Sequence, residues 1–300
     1  MNNKRIRIFV GADRSQQLAV KVLEYSIRKN TSCNVDIIPM IDLETPTPND
    51  PKNWQRTGFS YSRFCIPALA GYSGRAIYMD ADMQVFGDIK ELWDIPMNGA
   101  KVIIQEDVKH TESTLQKTNA PGKRSKQCSV MILDCSALKW DINAVIKGLN
   151  DNAYDYEQLM YELCILSEDE INYSIPFEWN SLEHYDKKTK LIHYTDMGTQ
   201  PWVSANNNNG FLWFSEVKEM INKGLLSYSD LKSEIGCGHF RPSLINDIRY
   251  NALSFNPIKG LISFYNKISD SLSGFTPHKA VYELKRKRTC AIKEHKTTNR

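Results

Sequence analysis

Residues 76–94 read AIYMDADMQVFGDIKELWD, an apolar stretch that ends abruptly in two carboxylates, Asp80 and Asp82, one residue apart. The run Arg75–Met79 has the composition of a buried strand. At the end of a strand, side chains i and i+2 project to the same side, so the two acids are expected side by side. Two like charges held that close repel each other, and a hard divalent cation such as Mg2+ or Mn2+, which prefers carboxylate oxygen, would remove the conflict. The plain alternative is that the pair opens a solvated turn.

Working outward, residues 6–11 (IRIFVG) read as a strand and residues 15–30 as an amphipathic helix, with apolar residues at Leu18, Val22, Leu23 and Ile27. Residues 35–40 (VDIIPM) read as a second strand. Strand, helix, strand predicts a right-handed parallel crossover. Residues 58–71 form a short helix leading to the strand before Asp80, and 100–105 and 128–134 are further β-branched runs. Alternation of this kind places the chain in the α/β class, with a mixed, mainly parallel sheet flanked by helices. Asp80 and Asp82 then sit at the carboxyl end of a central strand, where open α/β sheets bind ligands. Farther on come a helix in 154–166, a strand in 190–196 and a loop carrying four asparagines and Gly210, expected to be mobile and at the surface.

The chain has 300 residues, 41% hydrophobic and 24% charged, with a net charge of +3. That composition suits an enzyme-sized globular chain and argues against a wholesale nucleic-acid binder. Seven scattered cysteines without a Cys-x-x-Cys pair suggest reduced thiols and a cytoplasmic location. The N-terminal apolar run is too short for a signal peptide, and no run is long enough to span a membrane. Residues 1–245 read as the catalytic domain and 246–300 as a helical, basic C-terminal extension; deletion of residues 250–300 is expected to leave activity largely intact. In that extension, residues 258–272 have helical apolar spacing, and residues 279–300 hold eight Lys or Arg against two Glu. Such a segment fits peripheral contact with an anionic membrane at the inner face, or else a solvated tail.

Residues 59–69 (FSYSRFCIPAL), the Asp80–Asp82 stretch and residues 192–202 (IHYTDMGTQPW) together resemble glycosyltransferase family 8. The resemblance implies a GT-A fold and transfer of a hexose, with retention, from a nucleotide sugar, usually a UDP-sugar, to a glycan or lipid-linked acceptor. It implies that Asp80, Asp82 and His193 hold Mn2+ (or Mg2+), and that Arg63 reaches phosphate or the paired carboxylates. It further places Val10, Gly11, Ala12 and Asp13 at the uracil and ribose, with Ala81, Gly198, Gln200 and Trp202 also at the donor. Asp13 reads equally well as the N-cap of the following helix. Gln158, with Glu157 beside it, corresponds to the position beneath the anomeric carbon. The sequence departs from the pattern at Gln200, where the family has Lys, and at Gln127-Cys128-Ser129, where it has Asn-x-Gly. Loops at 105–126 and 178–190 would select donor and acceptor. Two rival readings remain. One is a glycosyltransferase-like binding protein that no longer turns over. The other is an aspartyl phosphotransferase, for which Gln84 stands where Thr or Val is usual.

Overall fold

The computed structural model describes residues 5–105, 126–251 and 257–298. Its main sheet has six strands in the order β2 (Val35–Pro39), β1 (Ile6–Gly11), β3 (Arg75–Asp80), β6 (Val130–Asp134), β5 (Val102–Gln105), β7 (Ile171–Ile175). β1 pairs in parallel with both β2 and β3, while β6 runs antiparallel to its two neighbours. The chain leaves β1 through α1 (Gln17–Lys29) to reach β2 on one side, then returns to β3 on the other. The carboxyl ends of β1 and β3 therefore flank a switch in strand order, the place where such sheets leave a crevice.

Alternation along the strands fills both faces. Ile8, Val10, Ile77 and Met79 pack with Val20, Leu23 and Ile27 of α1 and with Ile89 and Leu92 of α3 (Ile89–Trp93). Phe9, Tyr78, Met131 and Leu133 face the other way, onto α4 (Ile142–Asn150) and α5 (Tyr156–Glu162). A second, three-stranded sheet joins β4 (Met83–Val85), β9 (Leu191–His193) and β8 (Ser181–Leu182). β4 and β9 are antiparallel, with Met83 opposite His193.

The asparagine run does not behave as a free loop. Asn207 donates its side-chain amide to the Thr199 carbonyl and Asn209 donates to that of Glu183. Gly210 then opens α6 (Gly210–Asn222), whose Trp213, Phe214 and Val217 are buried against α1. Four asparagines mask this start because the apolar run begins only after Gly210, at Phe211. α7 (Tyr228–Gly236) and α8 (Leu244–Tyr250) complete that cluster through Leu231, Leu244 and Ile248, and the boundary read between residues 245 and 246 falls inside α8. α9 (Lys259–Leu272) is tied in by Asp270, which accepts the Ser243 backbone N–H at 2.9 Å and lies 3.6 Å from the buried Arg241. α10 (Lys279–Thr298) rests on the turn at Pro51–Asn53.

Candidate active site

The pairing of Asp80 with Asp82 does not come from strand alternation as the sequence suggested. Asp80 is the last residue of β3 in the large sheet, and β4 of the small sheet begins at Met83. Ala81 and Asp82 form the step between the two sheets. The Ala81 N–H donates to the Gly11 carbonyl, and the Tyr194 N–H to that of Asp82, so each end of the step is tied to a different sheet. Because Met83 pairs with His193, the step carries Asp82 beside the imidazole. One ligand atom from each of Asp80, Asp82 and His193 lies within 4.8 Å of the others.

The imidazole is fixed by buried polar groups that sequence reading missed. Asn180 donates its amide to Ser129 Oγ at 3.0 Å and to Gln105 Oε1 at 2.5 Å, which leaves its oxygen facing His193 Nδ1 at 3.0 Å. Nδ1 is then the donor, and Nε2 points at Asp82 Oδ1, 3.1 Å away. A lone pair aimed at a carboxylate is unfavourable unless a proton or a cation lies between them. Burial by itself lowers the pKa of His193, but Asp82, then Asp80 and Glu183, outweigh burial and raise it. A proton on Nε2 is thus favoured by the same carboxylates that would favour a cation there. The donor set, two carboxylates and one imidazole nitrogen oriented from behind, suits Mn2+ or Mg2+.

Asp80 has its own support. Buried Arg63 donates to the Cys128 carbonyl at 2.8 Å and to the Tyr78 hydroxyl at 3.2 Å, and it lies 3.7 Å from Asp80. The Tyr78 hydroxyl donates to Asp80 Oδ1 at 2.5 Å. Burial raises the Tyr78 pKa, so the phenol stays a donor, and burial together with Asp82 raises that of Asp80 against the pull of Arg63. Tyr78 was legible in principle, since it lies two residues before Asp80 on the same strand. Gly11 is required here because a Cβ would collide with the Tyr78 hydroxyl and stand 3.0 Å from Phe59.

These groups line a cavity of about 330 Å3 together with Asp13, Arg56, Gln127, Tyr156, Gln200 and His278. An adjoining hollow of about 780 Å3 shares Asp13 and His278 and reaches Trp202. Asp13 does cap the next turn, its Oδ1 accepting the Ser15 N–H at 2.8 Å, yet it also borders both spaces. Val10, Ala12 and Ala81 bury their side chains in the core, which leaves only backbone for a ligand. Gln200 donates to Asp82 Oδ2 at 2.9 Å and to the Tyr194 carbonyl at 2.8 Å, standing against the acids rather than supplying a charge. Gly198 is exposed in a turn capped by Asp196, and Trp202 is buried against Tyr194 and Trp213. Arg63 Nε, Thr195 Oγ1 and Gln200 Oε1 are buried, line the cavity and have no hydrogen-bond partner, the mark of a site built for a polar ligand.

Gln158 and Glu157 are not in this cavity. The Gln158 side chain accepts the Asp155 N–H at 2.9 Å while its own N–H donates to Asp155, a capping box that holds it at the start of α5. Tyr156, two residues earlier, faces the cavity together with Met160 and Tyr161 of the same helix, its hydroxyl 3.3 Å from Ser60 Oγ. His278 enters from the far end of the chain, its Nε2 2.8 Å from the Met197 carbonyl, and no sequence signal marks it. Of the two selectivity loops, residues 106–125 lie outside the described residues.

The family model for glycosyl transferase family 8 matches residues 1–131. Protein CDI of Arabidopsis thaliana is 32% identical over 234 residues, covering 72% of this chain and 87% of that protein. Lipopolysaccharide 1,2-glucosyltransferase of Escherichia coli (strain K12) is 27% identical over 170 residues, half of each chain. Among solved structures, the bifunctional glycosyltransferase WbbM in its apo form superposes with a TM-score of 0.50 at 17% identity. That match covers 71% of this chain and 49% of WbbM, and it speaks to the fold alone.

Proposed function

This chain belongs to glycosyltransferase family 8 and is a glycosyltransferase, and from that premise we propose that it moves a hexose from a UDP-sugar to a glycan or glycolipid acceptor, with retention and with a divalent cation. The observation that carries the reading is the convergence of Asp80, Asp82 and His193, each held from behind, at a cavity whose other polar atoms lack partners. When bound, the cation supplies charge to the diphosphate as it leaves. Asp80 and Asp82 would hold it by oxygen and His193 by Nε2. Tyr78 and Arg63 keep Asp80 in place, and Asn180 keeps the ring of His193 turned. Thr195 Oγ1 would donate to the diphosphate, and Gln200 Oε1 would accept from a sugar hydroxyl. Asp13 and the Gly11 backbone would meet the nucleoside.

Retention is supported by the inventory of acids. Among the described residues the carboxylates lining the cavity are Asp13, Asp80 and Asp82. Two are assigned to the cation and the third caps a turn, so none of these three is free to act as the base that inversion needs.

The test is calorimetric titration of UDP with Mn2+, followed by product analysis. Wild-type protein should bind UDP only with the metal present, and Asp82→Asn should lose at least about a hundredfold in metal-dependent UDP affinity, beyond the loss typical of an outer-shell change. Undiminished binding in excess chelator would overturn the metal role, and a β-linked product from a UDP-α-sugar would overturn retention.

Peripheral membrane contact belongs to the same proposal. Leu261, Phe264, Tyr265 and Leu272 of α9 are exposed, next to the basic α10. No described helix is long and apolar enough to cross a membrane.

A further inference from the structure

A second hollow, of about 580 Å3, lies between α5, the turn at residues 50–53 and α10. It borders the metal cavity, because Arg56 and Tyr156 line both spaces. Arg56 stacks over the Tyr156 ring at 4.0 Å and forms the partition between them. Three cationic side chains, Lys52, Arg56 and Arg288, face the hollow. Arg288 comes from the middle of α10, and its Nε and Nη1 are buried without a hydrogen-bond partner. Desolvated guanidinium donors left unpaired are costly, and the group that best satisfies them is a planar or tetrahedral anion able to take two N–H donors at once. Acids are present as well: Asp50 and Asp155 accept the backbone N–H groups of Lys52 and Gln158 at 2.8 and 2.9 Å, and Glu157 is exposed. Carboxylates and amides beside a tyrosine also suit sugar hydroxyls.

We propose that this hollow is the acceptor subsite, and that it takes an acceptor sugar bearing an anionic group, phosphate or carboxylate, held by Arg288. The inference rests on the glycosyltransferase reading and adds the class of acceptor. It makes α10 part of the substrate site: the same helix that places Val281 at the metal cavity presents Arg288 to the acceptor. On this proposal, deletion of residues 250–300, expected from the sequence to leave activity largely intact, removes the acceptor contact instead.

The test uses the full chain with saturating Mn2+ and UDP, so that phosphate-bearing probes are kept out of the metal cavity. Methyl glucoside, glucose 6-phosphate and glucuronate are titrated by calorimetry into wild type, Arg288→Gln and Arg288→Lys. The two anionic sugars should bind wild type more tightly than the neutral one, by about tenfold or more. Arg288→Gln should erase that difference and Arg288→Lys should keep part of it, with UDP affinity unchanged in both. Preference for glucose 6-phosphate identifies a phosphate, and preference for glucuronate a carboxylate. Equal binding of all three probes, no binding of any at about 1 mM, or an anionic preference that survives in Arg288→Gln overturns the proposal. UDP binding with Mn2+, measured separately, tests the glycosyltransferase reading itself. Loss of that binding while the Arg288-dependent preference persists would overturn the function and leave the anionic-sugar site standing.

Discussion

Asn180 illustrates how a residue without chemistry of its own decides what a neighbour can do. With its amide donated to Gln105 and Ser129, its oxygen is the only group it can turn to His193, and that fixes which imidazole nitrogen faces Asp82. Asn180→Ala should therefore weaken Mn2+ binding by roughly 10- to 100-fold while leaving the sheet intact. Titration of Mn2+ alongside circular dichroism checks both halves, and unchanged metal affinity would show that Asn180 serves packing only. The same site sets a pH dependence. The pKa of His193 in the fold is raised, so protonation of the ring stabilises the metal-free protein below the ordinary imidazole value of about 6.5. That contribution is lost as pH rises through the elevated folded value. Mn2+ competes with the same proton, so its stabilising effect should grow over the interval in which the proton is released. Thermal midpoints recorded across this range in chelator and in Mn2+ should diverge as pH increases. Parallel curves would mean that proton and metal do not share the site.

At the scale of elements, the step from β3 to β4 does what neither strand does alone. A chain that stayed in the large sheet would carry Asp82 away along β3; changing sheets after Asp80 turns it toward β9 instead. Close packing at the neighbouring strand end enforces this geometry. Gly11 lies opposite Asp80 in the parallel register, and Tyr78 fills the space a side chain at Gly11 would need. Gly11→Ala should destabilise the fold by about 1–3 kcal/mol, the usual cost of overpacking a dense core. It should also reduce metal affinity, because the Tyr78 hydroxyl must move from Asp80. Urea unfolding with a parallel Mn2+ titration would show it, and full stability with full metal affinity would mean that the strand end is looser than its contacts indicate.

At the scale of the whole molecule, the C-terminal helices lie against the body rather than trailing from it. Arg241, fully buried, pairs with Asp247 of α8 and approaches Asp270 of α9, while His278 reaches the metal cavity. The apolar face of α9 nevertheless stays exposed, with Leu261 at 70% and Leu272 at 83%. A Leu261→Ser, Phe264→Ser, Leu272→Ser triple variant should bind vesicles containing anionic lipid several-fold less than wild type, while UDP binding with Mn2+ is retained. Wild-type binding should weaken as salt rises, since basic residues act on the surface only within a Debye length of about 10 Å at 0.1 M. Equal vesicle binding by both proteins would remove the membrane from the proposal.

The α/β class, the first parallel crossover, the family and the three candidate ligands Asp80, Asp82 and His193 were all legible in the sequence, because each rests on local periodicity or on a short motif. Gln158 stands outside the metal cavity for an equally local reason: a glutamine three residues after Asp155 is claimed by the helix cap, and only the rotation of α5 shows that Tyr156 faces the cavity. The start of α6 was hidden behind four asparagines, two of which, Asn207 and Asn209, proved to be tied down through their side-chain amides. Asn180, His278 and Arg288 had no signal, since their roles depend on contacts across 13, 81 and more residues of intervening chain. Local sequence fixes which groups a strand or turn can present. Which of them meet is settled by long-range packing: the change of sheet at Ala81–Asp82 and the return of α10 over the turn at residues 50–53 bring together groups whose separation along the chain carries no trace of their contact.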